Sequence, residues 1–391
     1  MTRSHAVSRR TGSSVVALGV AAALLLSGCS TDAPADPGTD APAADAVSQE
    51  VLDKLASYEA ASALDNVGEA FDVSSVEGKT VWWVIQEGAN PFLATVMAHA
   101  EEALAEVGVK LVTCDGKSNP VDANNCITQG IAQGAAAIQV DGPDPETVAN
   151  AAQAAVDAGI PVLTGSGIDA SQPMPDFIAG VTSQPYVLTG ELAADWIIAD
   201  SDGAANVLFI TTPDVSGSGF QAQGFKDEMA KYCPDCTVTE QGVTLGNWAS
   251  DLGSTVSAAL AKDPTINYIA PVFDPMTQFI NPAIQQAGRG EDVQVVTVNG
   301  NLPFMQELAT GTGPTKALVG LDLNLLGWIE ADQILRVLTD TPPVSDYYTV
   351  ARVFDEDNIG ELDLTAEAFG DSSWYGGAGS TAELFTSLWL K

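Results

Sequence analysis

From Lys79 onward, short runs rich in β-branched and aromatic residues alternate with longer segments of helical spacing. That alternation constrains the fold more than any other feature of the chain. Residues 80–86 read as a strand, 92–107 as a helix and 109–113 as a strand. Segments 122–133, 136–140, 145–158 and 161–164 continue the pattern, with Gly and Pro at the joints. After a strand at 177–181 and a helix at 185–199, a second series opens at 206–211. It runs through 220–232, 238–243, 248–261, 268–270, 276–287 and 293–298. Such repetition predicts an α/β fold of two doubly wound parallel-sheet domains joined by a multi-strand hinge. The expected first lobe is 77–182 plus 322–350, with a strand at 318–323 and a helix at 325–338 leading back into it, and the second is 183–321. Residues 47–76 form an N-terminal helical extension, and 351–391 a C-terminal extension to which the pattern assigns no place. Trp82 and Trp83 fall mid-strand in a sheet covered on both faces and are expected in the core.

Open α/β sheets bind ligands beyond the carboxyl ends of their strands. Residues 86–92, 164–167, 211–219, 273–276 and 299–301 lie at such ends, and two facing domains would bring them to one cleft.

The N-terminus carries a different signal. Arg3, Arg9 and Arg10 precede an apolar run at 15–26, which ends in Leu26-Ser27-Gly28-Cys29. A basic region, a short apolar core and small residues at the cut make residues 1–28 a secretory signal peptide. The run is shorter than the ~20 apolar residues of a spanning helix. The last four residues resemble the bacterial lipobox, whose cysteine is lipidated. Cys29 is therefore the expected lipid anchor, and 29–46, rich in Ala, Asp, Pro and Thr, a disordered tether. The predicted location is the outer face of the cytoplasmic membrane, to which the lipid binds the chain.

Charge narrows the partners. The signal peptide holds three of the 15 Lys and Arg and no acid, leaving 12 against 51 Asp and Glu, a net charge of −39. That field repels nucleic acid and anionic head groups, so no nucleic-acid partner is expected. With Cys29 assigned to lipid, four cysteines remain in an oxidising compartment. Local pairing, Cys114 with Cys126 and Cys233 with Cys236, is favoured over a redox centre or half a metal site, because no second Cys-x-x-Cys follows. No cofactor or metal is expected. His99 sits mid-helix, and Ser216-Gly217-Ser218-Gly219 opens a helix as a phosphate loop would but lacks a following lysine. Nothing in these motifs points to an enzyme.

Several motifs, in order, resemble the solute-binding proteins of bacterial ABC transporters, in the class of ribose- and galactose-binding proteins. They are Gln86-Glu87-Gly88-Ala89-Asn90-Pro91-Phe92, Gly159-Ile160-Pro161-Val162, Gly224-Phe225 and Val296-Thr297-Val298-Asn299-Gly300. The resemblance covers about residues 79–351. It implies a monomeric, membrane-tethered binder that passes a small sugar-like ligand to a permease; the alternative is a ligand-sensing receptor subunit using the same cleft. By the same resemblance Gln86, Asn90, Phe92, Ser166, Gln221, Trp248, Phe273, Asp274, Asn299 and Asp322 fall at ligand-contacting positions. The chain departs from the sugar binders where they carry charge. Thr164-Gly165-Ser166-Gly167 stands where an Asp-Arg pair is usual, Gln221 where an Arg is, and Asn299 where an Asp is. A neutral cleft suits an uncharged ligand. Affinity is then expected to change little with salt, or between about pH 6 and 8.

Overall fold

The computed structural model describes residues 47–391, apart from 63, 65, 66, 346 and 377–379. The signal peptide, Cys29 and the tether lie outside the described residues.

The first described elements are a helix, α1 (Gln49–Glu59), and a short strand, β1 (Phe71–Asp72). The first lobe follows: β2 (Thr80–Ile85), α2 (Pro91–Ala105), β3 (Lys110–Asp115), α3 (Pro120–Ala132), β4 (Ala137–Asp141), α4 (Pro145–Asp157), β5 (Val162–Asp169) and β6 (Gly180–Gln184). The chain crosses at Pro185 into α5 (Tyr186–Asp200), β7 (Asn206–Thr211), α6 (Ser216–Tyr232), β8 (Thr237–Gly242), α7 (Trp248–Lys262), β9 (Tyr268–Pro271) and α8 (Thr277–Gln286). This lobe continues through β10 (Gln294–Asn299), α9 (Leu302–Ala309) and β11 (Thr315–Leu321). Helix α10 (Leu323–Leu338) returns to the first lobe against α2 and β6, and β12 (Ala351–Asp355) crosses back. The C-terminal segment holds α11 (Ala366–Gly370), α12 (Thr381–Leu388) and β13 (Trp389–Leu390).

The first sheet runs β3-β2-β4-β5-β6, all parallel. The second runs β8-β7-β9-β10-β11-β12, parallel except for β12, which is antiparallel to β11. This is a two-domain type I periplasmic binding protein architecture. Residues 351–355, left unplaced by the sequence pattern, are thus the edge strand of the second sheet. Every residue of β4 and β5 is buried, as helices on both faces require. Trp83 is fully buried under α2 and α10, and half-buried Trp82 packs under α3 on the opposite face.

Three first-lobe helices start with one device. Asn90-Pro91, Asn119-Pro120 and Asp144-Pro145 each put a side-chain acceptor at the N-cap and proline at the first helical position. The acceptor satisfies an otherwise orphaned N–H, and proline supplies the φ that the turn needs. Cys114–Cys126 and Cys233–Cys236 are disulfides, the local pairing expected. The first ties β3 to α3.

Helices α5 and α6 cross at two glycines. A Cβ on Gly224 would sit 2.0 Å from the Val187 carbonyl oxygen, and one on Gly190 2.1 Å from that of Gln221. No rotamer change relieves a clash with backbone. Gly224→Ala is therefore expected to destabilise by about 1–3 kcal/mol or more, read as a lower denaturant midpoint at unchanged slope.

Candidate functional site

A pocket lies between the lobes at the carboxyl ends of both sheets. Gln86, Asn90, Phe92, Leu93, Gly142 and Ser166 line it from the first lobe, and Tyr186, Val215, Phe273 and Asn299 from the second. The lobes touch around it: Gln86 Nε2 donates to the Asp214 carbonyl at 3.4 Å, and Ser216 Oγ donates to the Gly167 carbonyl at 3.0 Å. The structure is the closed form.

Each polar lining group is set by its local fold. Asn90 caps α2, with Oδ1 accepting from Phe92 N at 2.9 Å and Leu93 N at 3.4 Å. Its oxygen is thus committed, and only the Nδ2 protons remain for a ligand. Phe92, in the first turn of α2, is carried to the same rim. Ser166 adopts a left-handed φ of 55° and Asn299 a φ of 130°, conformations rare for residues with a side chain. Strain of this kind gathers at functional sites; here both residues line one pocket. The Ser166 hydroxyl is buried beside Asp141 and, among the described residues, has no partner in hydrogen-bond geometry.

Four residues expected in the cleft do not line this pocket. Trp248 stands behind Phe273, with ring centroids 6.2 Å apart, and its Nε1 donates to Thr212 Oγ1 at 3.1 Å. Gln221 is buried between α5 and α6, its Nε2 on Thr189 Oγ1. Asp322 caps α10, Oδ1 accepting from Leu325 N at 3.0 Å. Asp274 is fully buried and accepts from Gly300 N, Asn301 N and Asn301 Nδ2 at 3.1, 2.8 and 2.7 Å. Its carboxylate builds the loop that presents Asn299. Those bonds favour the charged form, yet burial outweighs them and raises its pKa to about 7.

Tyr186 was not anticipated. It is the first residue of α5, directly after the hinge proline, and its hydroxyl donates to the Ser166 carbonyl at 2.9 Å. Its ring lies where a Cβ on Gly217 would be, 2.7 Å away, so the Gly-rich start of α6 makes room for tyrosine rather than for phosphate. A large polar aromatic just past the crossover was the signal available in the sequence.

Beneath Ser166 lies an unexpected carboxyl pair. Asp141, at the end of β4, and Glu330, in α10, are both fully buried. Burial raises Asp141 to about 7 and Glu330 well above the usual carboxylate range, the Asp141 charge adding to the latter. Trp83 and Ser166 are near enough to favour ionised Asp141, but neither of its oxygens has a partner in hydrogen-bond geometry. Among the described residues, the one hydrogen-bond partner of Glu330 is Gln139 Nε2, at 2.8 Å. A burial-raised carboxyl thus lies beneath a pocket lining that is itself neutral.

No Lys, Arg, His, Asp or Glu is among the lining residues, and no cluster of potential metal ligands occurs among the described residues. No described helix is long and apolar enough to cross a membrane.

Residues 81–340 match the family described as the periplasmic binding protein domain. The chain belongs to that family. The ribose import binding protein of Salmonella typhimurium is 24% identical over 255 residues, covering 64% of this chain and 81% of the relative. Among solved structures, the 5-methylthioribose transporter solute-binding protein of Thermotoga lettingae superposes with a TM-score of 0.69 at 20% identity. It covers 79% of this chain and 96% of its own. The Caulobacter myo-inositol binding protein gives a TM-score of 0.66 at 19% identity, covering 77% of this chain and 100% of its own. At these identities the structural likeness fixes the fold. Those relatives are binding proteins rather than enzymes, and the family places the chain outside the cytoplasm.

Proposed function

We propose that this protein captures a small, uncharged, sugar-like solute between its lobes and delivers it to an ABC transporter permease while held to the membrane through lipidated Cys29. The observation that carries the reading is the pocket's chemistry. The amides of Gln86, Asn90 and Asn299 and the hydroxyls of Ser166 and Tyr186 converge with two aromatic side chains, Phe92 and Phe273, and no ionised side chain lines the space. Amides and hydroxyls meet both senses of a sugar hydroxyl, and an aromatic face meets its C–H face. An anionic sugar would find no cation there. The names of the relatives, which cite ribose, 5-methylthioribose and myo-inositol, agree with a neutral polyol or sugar.

Native mass spectrometry of the protein purified from its own host, followed by a thermal-shift panel of neutral and anionic sugars, tests the ligand class. A neutral polyhydroxylated adduct, and stabilisation by neutral members alone, are expected. Selective stabilisation by a uronate or a sugar phosphate would overturn the reading.

Asn90 separates two roles. Asn90→Asp keeps the capping oxygen and should preserve stability, whereas Asn90→Ala should lose about 1 kcal/mol with the cap. Both should weaken binding of the identified solute, since both remove the amide protons. Anchoring has its own test: Cys29→Ser is expected to move the protein from the membrane fraction to the soluble one, and retention after a detergent-free wash would contradict the lipid anchor.

A further inference from the structure

The two terminal segments, outside the family-matched core of 81–340, each hold both lobes. Helix α1 is pinned to the second lobe, where Lys54 Nζ meets Glu191, Asp195 and Glu228 at 2.7, 3.2 and 3.0 Å. The chain then passes to the first lobe. There Arg336 of α10 donates to the carbonyls of Val67 and Glu69, at 3.3 and 3.1 Å, and β1 pairs with β13. The C-terminal segment runs in parallel. It leaves β12 on the second lobe and ends on the first, where Trp389 stacks on Trp328 at 5.7 Å and donates to Asp332 at 2.8 Å.

Between those anchors, residues 366–375 span the lobes directly. Toward the first lobe, Phe369 packs on His99 of α2, with centroids 6.1 Å apart, and Ser372 Oγ accepts from Asn324 Nδ2 at 3.1 Å. Toward the second, Tyr375 meets Phe354 edge-on at 5.6 Å and donates to the Leu321 carbonyl, at the hinge, at 2.9 Å. The two crossings also touch each other: a Cβ on Gly376 would lie 3.0 Å from that of Ala61, and Arg352 of β12 bridges them, donating to the carbonyls of Glu59 and Trp374.

The geometry points to a strap. Three crossings, near Pro185, Leu321 and Val350, let two lobes rotate freely; here two further crossings, tied to each other, lie beside them. Opening the cleft must pull Phe369 off His99 or Tyr375 off Leu321, so the terminal segments hold the ligand-free lobes close to the closed arrangement. A binder whose competent state is already populated gives up less affinity to closure. The inference rests on the fold alone and stands whatever solute the pocket takes.

Double electron–electron resonance tests it, on the mature chain freed of solute by dialysis from denaturant. Labels go on exposed Val121 and Gly246, at opposite rims of the cleft, through azido side chains that leave the cysteines intact. The wild-type protein should give one narrow distribution at the separation found in this structure. The variant Phe369→Ala/Ser372→Ala/Tyr375→Phe should add a second, longer population. A predominantly long separation in the solute-free wild type would overturn the strap, as would a folded triple variant with the wild-type distribution. Should the triple variant fail to fold, Phe369→Leu and Ser372→Ala singly carry the same comparison.

Discussion

The melting temperature of this protein is expected to fall as pH rises from about 4 to about 7, and to go on falling, less steeply, above it. Asp141 and Asp274 are buried with pKa values raised to about 7, Asp322 with one raised to about 6, and Glu330 stands higher still. A carboxyl whose pKa is raised by folding holds its proton in the native state where the unfolded chain has released it. Native protein then binds more protons than unfolded protein, and stability drops with each pH step across that window. For Asp274, a rise from 3.8 to about 7 corresponds to ~4 kcal/mol at about 1.4 kcal/mol per unit. Self-repulsion in a chain of net charge −36 acts in the same direction, so variants must separate the two. Asp141→Asn removes one charge from the coupled pair and relieves Glu330, so it should flatten the pH slope and raise stability at pH 8. Glu101→Gln, on the surface, should leave the slope as it was. Asp274→Asn should also flatten the slope, since it removes a carboxyl raised by burial, but should lower stability, because an amide cannot accept all three N–H bonds that the carboxylate holds. Thermal unfolding from pH 4 to 9 decides it; an unchanged slope in Asp141→Asn would refute the account of the buried pair.

Removing both aromatic side chains of the pocket should weaken binding by about 30-fold or more. Phe92 and Phe273 line it from opposite lobes and are nearly buried. Truncating each should cost about 1–3 kcal/mol of affinity in lost burial and face contact, so the Phe92→Ala/Phe273→Ala pair loses about 2–6 kcal/mol. Trp248→Phe is the matched control. Its indole lies behind Phe273 and is tied to Thr212, so the change should lower stability through the lost hydrogen bond and shift affinity less than either alanine. Calorimetry with the solute found by mass spectrometry measures all three. Full affinity in the double variant would move the site elsewhere.

The fold was legible because its signals are local. Asn90-Pro91, Asn119-Pro120 and Asp144-Pro145 announce helix starts, and the apolar runs of β2 and β7 announce sheets covered on both sides. The loops at strand ends then followed from the topology, which is why Gln86, Asn90, Phe92, Ser166, Phe273 and Asn299 could be named and meet in one pocket. Trp248, Gln221, Asp274 and Asp322 could not be sorted, since a polar or aromatic residue at a helix start reads alike whether it faces a ligand or a buried partner. Thr212 is 36 residues from Trp248 in sequence, and Asn301 is 27 from Asp274. Asp141 was missed for the same reason. Its neighbour Glu330 comes from α10, which only the return crossing brings beneath Ser166. The terminal segments bridge the lobes through side chains drawn from both ends of the chain, which periodicity cannot pair.

The most direct measurement is a crystal structure of the protein with its co-purified solute. Solute density is expected between Phe92 and Phe273, with solute hydroxyls within hydrogen-bond reach of Asn90 Nδ2, Ser166 Oγ and Asn299. Solute density elsewhere would contradict it, most tellingly in the acidic groove between α1 and the second lobe that Glu59, Asp200 and Asp357 line.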